Sequence, residues 1–304
     1  MNEKIRSNQF RVGTIAILGR PNVGKSTLLN CIVGQKISIT THKPQTTRQR
    51  ILGIKTTAEA QYIYVDTPGF HLGGKRALNR HMNREVLSAL KDIDIVLLLL
   101  WAKRWTDEDQ ALLEKLKSLS IPVIAVINKV DELADKKELL PVIGEVMQKY
   151  AFTEIVPVSA KTGSGIDRLE KIVREKLPYG QAIYDEDQVT DKSMRYLAAE
   201  IIREKLFLRV QEEIPYSLSV GIEIFEEHDT ICNISAVIWV EKTGHKAIVI
   251  GKQGAMLKAV GEEARKSMEK LFEKKVFLKL WVKVKEGWAD DERILKSLGF
   301  GDDL

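Results

Sequence analysis

The sequence has little of what marks secreted or membrane-spanning proteins. Its 304 residues include only two cysteines, Cys31 and Cys232, which are far apart and lie among apolar neighbours. This favours buried free thiols in a reducing compartment over a disulfide. No apolar run is long enough to span a bilayer, because the longest, 93–101, is interrupted by Asp94. The polar N-terminal stretch has no signal-peptide core. A cytoplasmic protein is therefore expected.

Net charge is also small, at +5, but it is unevenly distributed. The stretch 242–285 holds twelve Lys or Arg and four Asp or Glu, whereas 286–304 holds six acidic and two basic residues. A local basic block predicts an anionic partner or, alternatively, a solvated basic helix face. With 44% hydrophobic and 29% charged residues, the chain has a globular composition and room for two domains.

What the sequence does contain is a glycine-rich motif of the form G-x-x-x-x-G-K-S. It lies between an apolar run typical of a buried strand and an apolar helical stretch, as a phosphate-binding loop requires. Backbone N–H groups and the helix N-terminus would surround the phosphates, Lys25 would reach the outer ones, and Ser26 would bind Mg²⁺. The alternative is a glycine turn with a surface lysine. The nucleotide-binding stretch predicted here is Gly19, Arg20, Pro21, Asn22, Val23, Gly24, Lys25, Ser26 and Thr27.

Apolar runs alternate with helical segments over the first half of the chain. This predicts an α/β domain whose mostly parallel sheet is covered on both faces, with ligands at the carboxyl ends of the strands. Thr106 is the predicted N-cap of the third helix. The predicted strands are 12–18, 51–55, 61–65, 93–100, 122–127 and 155–158, and the predicted helices are 25–34, 75–91, 107–119, 135–150 and 166–176.

Polar motifs follow three of these strands. In the first, Asp66 can hold Mg²⁺ through water and Gly69 can offer its N–H to a γ-phosphate. In the second, the Asp131 carboxylate can accept from guanine N1–H and the exocyclic amine, which adenine lacks, so the site would reject adenine by roughly 10⁴-fold. In the third, backbone N–H groups can meet guanine O6. The motifs are Asp66, Thr67, Pro68, Gly69; Asn128, Lys129, Val130, Asp131; and Ser159, Ala160, Lys161.

The ordered set GRPNVGKS, DTPG, NKVD and SAK resembles the motif series of Ras-like, translation-factor-type GTPases. The resemblance implies GTP and GDP as ligands, with Ser26, Thr47 and Asp66 around Mg²⁺ and with Lys25, Thr47 and Gly69 acting at the reacting phosphate. Thr46 is the close competitor of Thr47 for the metal. The expected γ-phosphate-sensing loop, switch I, comprises Gln45, Thr46, Thr47, Arg48 and Gln49.

The sequence departs from Ras-type GTPases at the residue that follows the D-x-x-G motif. Ras-type proteins place a water-orienting glutamine there, and this chain has Phe70, so slow intrinsic hydrolysis is expected. In some members of the hydrophobic branch, the residue that matches Asn22 helps to bind K⁺. The alternative role for Asn22 is turn stabilisation.

The second half predicts a helix (191–212), two strands (216–225 and 231–240), a helix (255–272), a strand (276–285) and a closing helix (289–298). In the last strand, Phe277 and Trp281 alternate with lysines on one face. Trp281 is a candidate for base stacking, although an aromatic residue in a sheet more often packs. The stretch between the second strand and the second helix carries a G-x-x-G motif, from Gly251 to Gly254.

This G-x-x-G loop, inside the basic block, resembles that of a type II KH domain, an α+β fold that clamps about four nucleotides of single-stranded nucleic acid. The candidate RNA contacts are Lys246, Ile250, Gly251, Lys252, Gln253, Gly254, Lys258 and Arg265.

Together, a GTPase domain (1–180), a linker (181–191) and a KH-type domain with flanking helices (192–304) resemble the Era-like subfamily of Ras-like GTPases. The resemblance implies a monomer that binds 16S ribosomal RNA near its 3′ end rather than DNA. It also implies a role in assembly of the 30S ribosomal subunit and peripheral association with the inner membrane. The alternative is an RNA-binding module whose nucleotide site only stabilises the fold.

Overall fold

The computed structural model describes residues 9–43, 46–70, 77–90, 92–210 and 214–288. The predicted switch residue Gln45, the ends of the predicted helix 75–91 and the predicted closing helix 289–298 lie outside these residues. The described residues form two compact units. The first draws on 9–38, 47–70, 82–90 and 92–191, and the second on 39–43, 46, 77–81, 192–210 and 214–288.

The first unit is built on a six-stranded sheet with strand order β2-β3-β1-β4-β5-β6. Only β2 runs antiparallel to its neighbour, and the other pairs are parallel. The strands are β1 (Arg11–Leu18), β2 (Ile51–Thr56), β3 (Ala60–Asp66), β4 (Ile95–Trp101), β5 (Val123–Asn128) and β6 (Glu154–Pro157), and the helices are α1 (Lys25–Val33), α2 (Ala77–Ser88), α3 (Asp107–Leu116), α4 (Leu139–Lys149) and α5 (Ile166–Lys176).

The strands of this sheet are nearly continuous apolar runs because helices cover both faces. All of β4 except Trp101 is buried, and so is all of β5. Thr106 caps α3 as predicted, and its hydroxyl and the Asp109 carboxylate form a reciprocal capping box. The predicted helix 135–150 is wrong at its start, where a 3₁₀ turn, Lys136–Glu138, precedes α4. Pro141 fits the first turn of α4 because N–H groups there have no intrahelical acceptor.

The stretch predicted as a linker is bonded to the edge of this sheet. Ile54 N–H donates to the Val189 carbonyl at 2.9 Å, and Leu52 N–H donates to Asp191 Oδ1 at 3.0 Å. The expectation of two buried thiols is half correct, since Cys232 is buried and Cys31 is only half-buried; both are free.

The second unit has a three-stranded sheet, β7-β8-β9, in which β8 pairs antiparallel with β7 and parallel with β9. Its apolar face packs with the helices around a core that includes Phe207, Ile238, Val260 and Met268. The elements are α6 (Met194–Arg209), β7 (Leu218–Glu227), β8 (Ile231–Val240), α7 (Thr243–Ile250), α8 (Ala255–Phe272) and β9 (Lys275–Val284), which is the α-β-β-α-α-β order of a type II KH domain. Helix α7 was not predicted from the sequence.

No helix among the described residues has the length and apolarity to cross a bilayer.

Candidate functional site

The glycine-rich loop joins β1 to α1, as predicted. Gly24 is the N-cap of α1 at φ 103°, and a Cβ there would meet Asn128 Nδ2 at 2.4 Å, so both conformation and space require glycine. The Lys25 ammonium lies over the loop and donates to the carbonyls of Gly19 and Arg20 at 3.0 and 3.1 Å. Burial lowers the pKa of Lys25 to about 8, with the Asp66 carboxylate opposing the shift. A phosphate beside it would favour the charged form.

The remaining loop residues surround this turn. Pro21 is half-buried beside Gly69, where a Cβ would meet it at 2.8 Å. Asn22 is exposed and left-handed at φ 62°, while Val23 is buried and Thr27 half-buried. The Arg20 guanidinium donates to Asp109 at 3.2 Å and lies 5.4 Å from the Trp101 ring centroid. The Nε–H is thus engaged by Asp109, whereas the buried Nη2 has no hydrogen-bond partner among the described residues.

Three hydroxyls converge on one carboxylate oxygen. Ser26, Ser38 and Thr47 lie 2.7, 3.1 and 3.4 Å from Asp66 Oδ2, and the hydroxyls of Ser26 and Thr47 are 2.8 Å apart. The Thr46 hydroxyl contacts Thr41 and the Lys43 carbonyl instead. The geometry therefore favours Thr47 over Thr46 as the switch threonine.

This cluster fits a magnesium ion. Its atoms are hydroxyl and carboxylate oxygens, the ligand class that Mg²⁺ prefers. Asp66 Oδ1 is buried and has no hydrogen-bond partner among the described residues, so it is free to accept from a metal-bound water. Burial raises the pKa of Asp66, while Lys25 and the three hydroxyls lower it. A bound cation would lower the pKa of Asp66 further.

Sequence reasoning missed Ser38 and the residue that holds it, Asn30. The Asn30 Oδ1 accepts from the N–H groups of Ile37 and Ser38 at 3.0 Å each, and its Nδ2 donates to the Ser38 carbonyl at 2.7 Å. The signals were present in the sequence: one amide among the apolar residues of α1, and one serine between two isoleucines. Asn30 holds the Ser38 backbone, and this places the Ser38 hydroxyl against Asp66.

The base-recognition motifs meet at the carboxyl ends of β5 and β6. Asn128 Nδ2 donates to the Val23 carbonyl at 2.7 Å and its Oδ1 accepts from Ala160 N–H at 3.0 Å, so one side chain connects three motifs. Asp131 is exposed at the rim, and its Oδ1 accepts from the Ser159 hydroxyl at 2.6 Å. Lys129, left-handed at φ 65°, places its ammonium 5.1 Å from the Trp101 ring centroid. Val130 is half-buried and Lys161 exposed.

Phe70, which replaces the catalytic glutamine, is directed into the core. The residue is buried in the cluster that contains Leu112, Leu113 and Leu116 of α3, and its N–H donates to the Gly19 carbonyl at 3.3 Å. Thr67, Pro68 and Gly69 are also buried, and the Thr67 hydroxyl donates to the Ile17 carbonyl. The ring is part of the packing against α3 rather than a group beside a reacting phosphate.

The switch segment divides at Thr47. Thr47, Arg48 and Gln49 belong to the first unit, whereas the described residues 39–43 and 46 belong to the second. Within the second unit, Arg203 Nη2 donates to the Thr46 carbonyl and Glu204 Oε1 accepts from Thr40 N–H at 3.0 Å. Arg203 and Glu204 are both buried. The peptide just before the switch threonine is therefore held by α6.

The G-x-x-G loop joins α7 to α8 and borders a groove. A Cβ on Gly251 would meet Met256 Cβ at 2.7 Å, and Gly254 is left-handed at φ 78° with open space beside it. Lys252 and Gln253 are exposed, whereas Lys246 and Ile250 are half-buried on α7. Arg265 is held in part by an ion pair with Glu269. The groove has a volume of about 450 Å³ and is lined by Gly254, Leu257, Lys258, Gly261, Glu262, Arg265, Leu278 and Leu280.

Comparison with known proteins agrees with this geometry. Residues 14–129 match the family described as 50S ribosome-binding GTPase, and residues 213–289 match the KH domain. The GTPase Era of Pseudomonas aeruginosa is 52% identical over 292 residues, covering 96% of each chain. The chain belongs to the Era family of GTPases.

Solved Era structures share the whole fold. One is a complex of Era with MgGDPNP and nucleotides 1506–1542 of 16S ribosomal RNA, with TM-score 0.93 and 39% identity over 96% of this chain and 99% of that one. Another, an Aquifex aeolicus Era variant bound to GDP·AlF₄⁻, has the same TM-score and identity and covers 96% and 100%. The predictions of an Era-like GTPase and of a P-loop domain followed by a KH domain are confirmed.

Proposed function

We propose that this Era-family GTPase is a nucleotide-controlled switch that binds single-stranded ribosomal RNA, near the 3′ end of 16S rRNA, during 30S subunit assembly. One observation supports it most directly: the same chain holds a guanine-type nucleotide site and a groove of about 450 Å³ beside a G-x-x-G loop. The Era structure with MgGDPNP and an rRNA fragment places both ligand classes in a relative of the same fold.

In the nucleotide site, the loop 19–26 binds the phosphates through its N–H groups and the α1 N-terminus. Lys25 neutralises charge on the outer phosphates, and Asp131 accepts from guanine N1–H and the exocyclic amine. Ser26 and Thr47 are the proposed metal ligands, with Asp66 holding a metal-bound water. When bound, Mg²⁺ would supply positive charge that neutralises the phosphates.

The hydrolysis step lacks a side chain that orients water at position 70. Gly69 N–H and Thr47 remain to fix the γ-phosphate, and loop ordering or a partner must place the water. We infer that Asn22 assists by binding K⁺, which its exposure at the turn allows. Equal hydrolysis rates in Na⁺ and K⁺ would remove that role.

In the RNA site, the groove beside Gly254 accommodates about four nucleotides, as KH loops do. Lys252 and Lys258 are exposed and provide phosphate contacts. We expect a Gly254→Asp substitution to abolish RNA binding because it adds a negative charge and strains a left-handed residue. Gly287→Asp is the matched control, since Gly287 is also left-handed (φ 66°) with open space and lies outside the groove lining.

The deciding experiment compares RNA affinity with GDP and with a non-hydrolysable GTP analogue bound. A difference establishes a switch, and equality leaves two independent modules on one chain. Nucleotide binding unchanged by Lys25→Ala would contradict the phosphate site.

Further proposals concern the surroundings of the protein in the cell. We infer a monomeric cytoplasmic protein that acts on the 30S subunit and associates peripherally with the inner membrane. Cosedimentation with 30S particles and with anionic lipid vesicles tests the two associations separately.

A further inference from the structure

Two aromatic side chains on β9 are exposed although a sheet usually packs its aromatics. Phe277 is 51% exposed and Trp281 is 59% exposed. They lie on the face of β9 opposite to Val276 and Val282, which are buried in the core of the second unit. The packing role that an aromatic residue in a strand usually has therefore does not apply to Trp281.

Ammonium groups lie between these rings. Lys279 Nζ is 5.3 Å from the Phe277 ring centroid, and Lys283 and Lys285 each place Nζ 5.6 Å from the ring centroid of Trp239 on β8. Ring and lysine thus alternate along the outer side of β9. On the β7 side, Glu223 pairs with Lys283 at 3.0 Å, so the basic character is concentrated toward the β9 edge.

This chemistry fits a nucleic acid better than a protein. Single-stranded nucleic acid is bound by aromatic rings that stack on bases and by cations that follow the backbone. Protein interfaces instead deplete lysine from their buried centre. A protein partner covering this face would have to bury or displace several ammonium groups.

The outer face and the proposed RNA groove lie on opposite sides of β9. Leu278 and Leu280 line the groove from the core side, while Phe277 and Trp281 alternate with them and lie on the outer side of the same strand. Strand β9 is the edge of its sheet, so a nucleic acid strand leaving the groove can cross that edge. Four residues of strand separate the rings by about 13 Å. Each ring therefore takes its own base.

We propose that the outer face of β9, made by Trp239, Phe277, Lys279, Trp281 and Lys283, is a second contact surface for single-stranded RNA. It binds nucleotides that continue from the groove, and this inference depends on the proposed RNA-binding function. The groove would then set where the strand is held, and the outer face would lengthen the site.

The test compares two RNAs on the full-length protein by fluorescence anisotropy, one of about five nucleotides and one of about twelve. Trp281→Ala is expected to weaken binding of the longer RNA by about 5- to 150-fold, the range for loss of one stacked base. Binding of the shorter RNA should not change. Trp281→Phe should retain most of the affinity, and Trp281→Leu should lose it, because leucine is apolar but offers no ring.

Ile224→Ala is the matched control, because Ile224 is 47% exposed on the β7 strand of the same sheet. Lys279→Gln should lower the salt dependence of binding to the longer RNA by about 0.7 in log–log slope. Wild-type affinity of Trp281→Ala for the longer RNA, or equal losses on both RNAs, would overturn the proposal.

Two other outcomes are distinguishable. If the wild-type protein binds neither RNA, or if Gly254→Asp has no effect, the proposed RNA-binding function itself is wrong. If Trp281→Ala leaves RNA binding intact but abolishes self-association in analytical ultracentrifugation, the face is an interface between two copies of this chain, and the RNA assignment is overturned.

Discussion

Replacing Asp131 with asparagine should change which base the site prefers. Thr162 N–H donates to Ser159 Oγ at 3.2 Å, which directs the serine proton to Asp131 Oδ1 at 2.6 Å. In Asp131→Asn, the same hydroxyl would bond the amide oxygen and so fix the orientation of the amide. The amide would then present an N–H donor to the base where the carboxylate presented an acceptor.

The expected loss for guanine is large. Asp131 is proposed to accept from two guanine donors, and hydrogen bonds to a charged group contribute about 1.5–3 kcal/mol each. Losing both costs about 3–6 kcal/mol, or roughly 10²- to 10⁴-fold in GDP affinity. Xanthine has an acceptor where guanine has the exocyclic amine, so XDP should bind the variant more tightly than GDP does.

Competition of GDP and XDP against a fluorescent nucleotide measures both affinities. Tight XDP binding shows at the same time that the variant is folded. Adding Ser159→Ala should reduce the XDP preference, because the amide is no longer oriented. GDP affinity of Asp131→Asn within threefold of the wild type would refute the assignment of Asp131 to the guanine base.

Three further substitutions test the neighbouring groups. Ser38→Ala should raise the Mg²⁺ concentration at half-saturation by about tenfold, since a hydrogen bond to the buried Asp66 carboxylate is removed. The magnesium dependence of GDP release measures this concentration. The effect of Ser38→Ala should vanish in an Asn30→Ala background. Phe70→Gln should not raise the single-turnover rate of GTP hydrolysis, because the side chain at position 70 is directed into the core. It should lower the free energy of unfolding in urea by about 2–4 kcal/mol. Faster hydrolysis would contradict the argument from burial. Arg203→Met should reduce the difference in RNA affinity between the GDP and GTP-analogue states, measured by fluorescence anisotropy, and should leave GDP affinity unchanged. An undiminished difference would show that the bond from Arg203 to the Thr46 carbonyl has no part in coupling nucleotide state to RNA affinity.

The fold and the motif positions were predictable because both follow from local pattern. Continuous apolar runs predict buried parallel strands, and the carboxyl ends of such strands meet at one edge. Asp66, Asn128 and Ser159 therefore lie along the same edge of the sheet, although 93 positions separate the first from the last. The one antiparallel pair of the six-stranded sheet, β2 with β3, also follows from their short connection, 57–59.

Helix α7 was missed because its sequence is a poor local predictor. Its last residues, Ile248, Val249 and Ile250, are β-branched and resemble a strand. Only Val249 of this helix is buried, so no amphipathic stripe marks it. The helix is fixed by its neighbours in space, including α8 and β9, and that information is not in the local sequence.

The contacts of Phe70 show a second limit of sequence reasoning. The sequence shows that no glutamine follows Gly69, and this predicts slow hydrolysis from the missing group alone. The structure adds that the ring packs against α3, the helix whose first turn holds Arg20 through Asp109. Helix α3 thus packs against Phe70, which follows Gly69, and its first turn binds Arg20, which follows Gly19. The sequence cannot show this shared packing partner, because it shows only that the glutamine is absent.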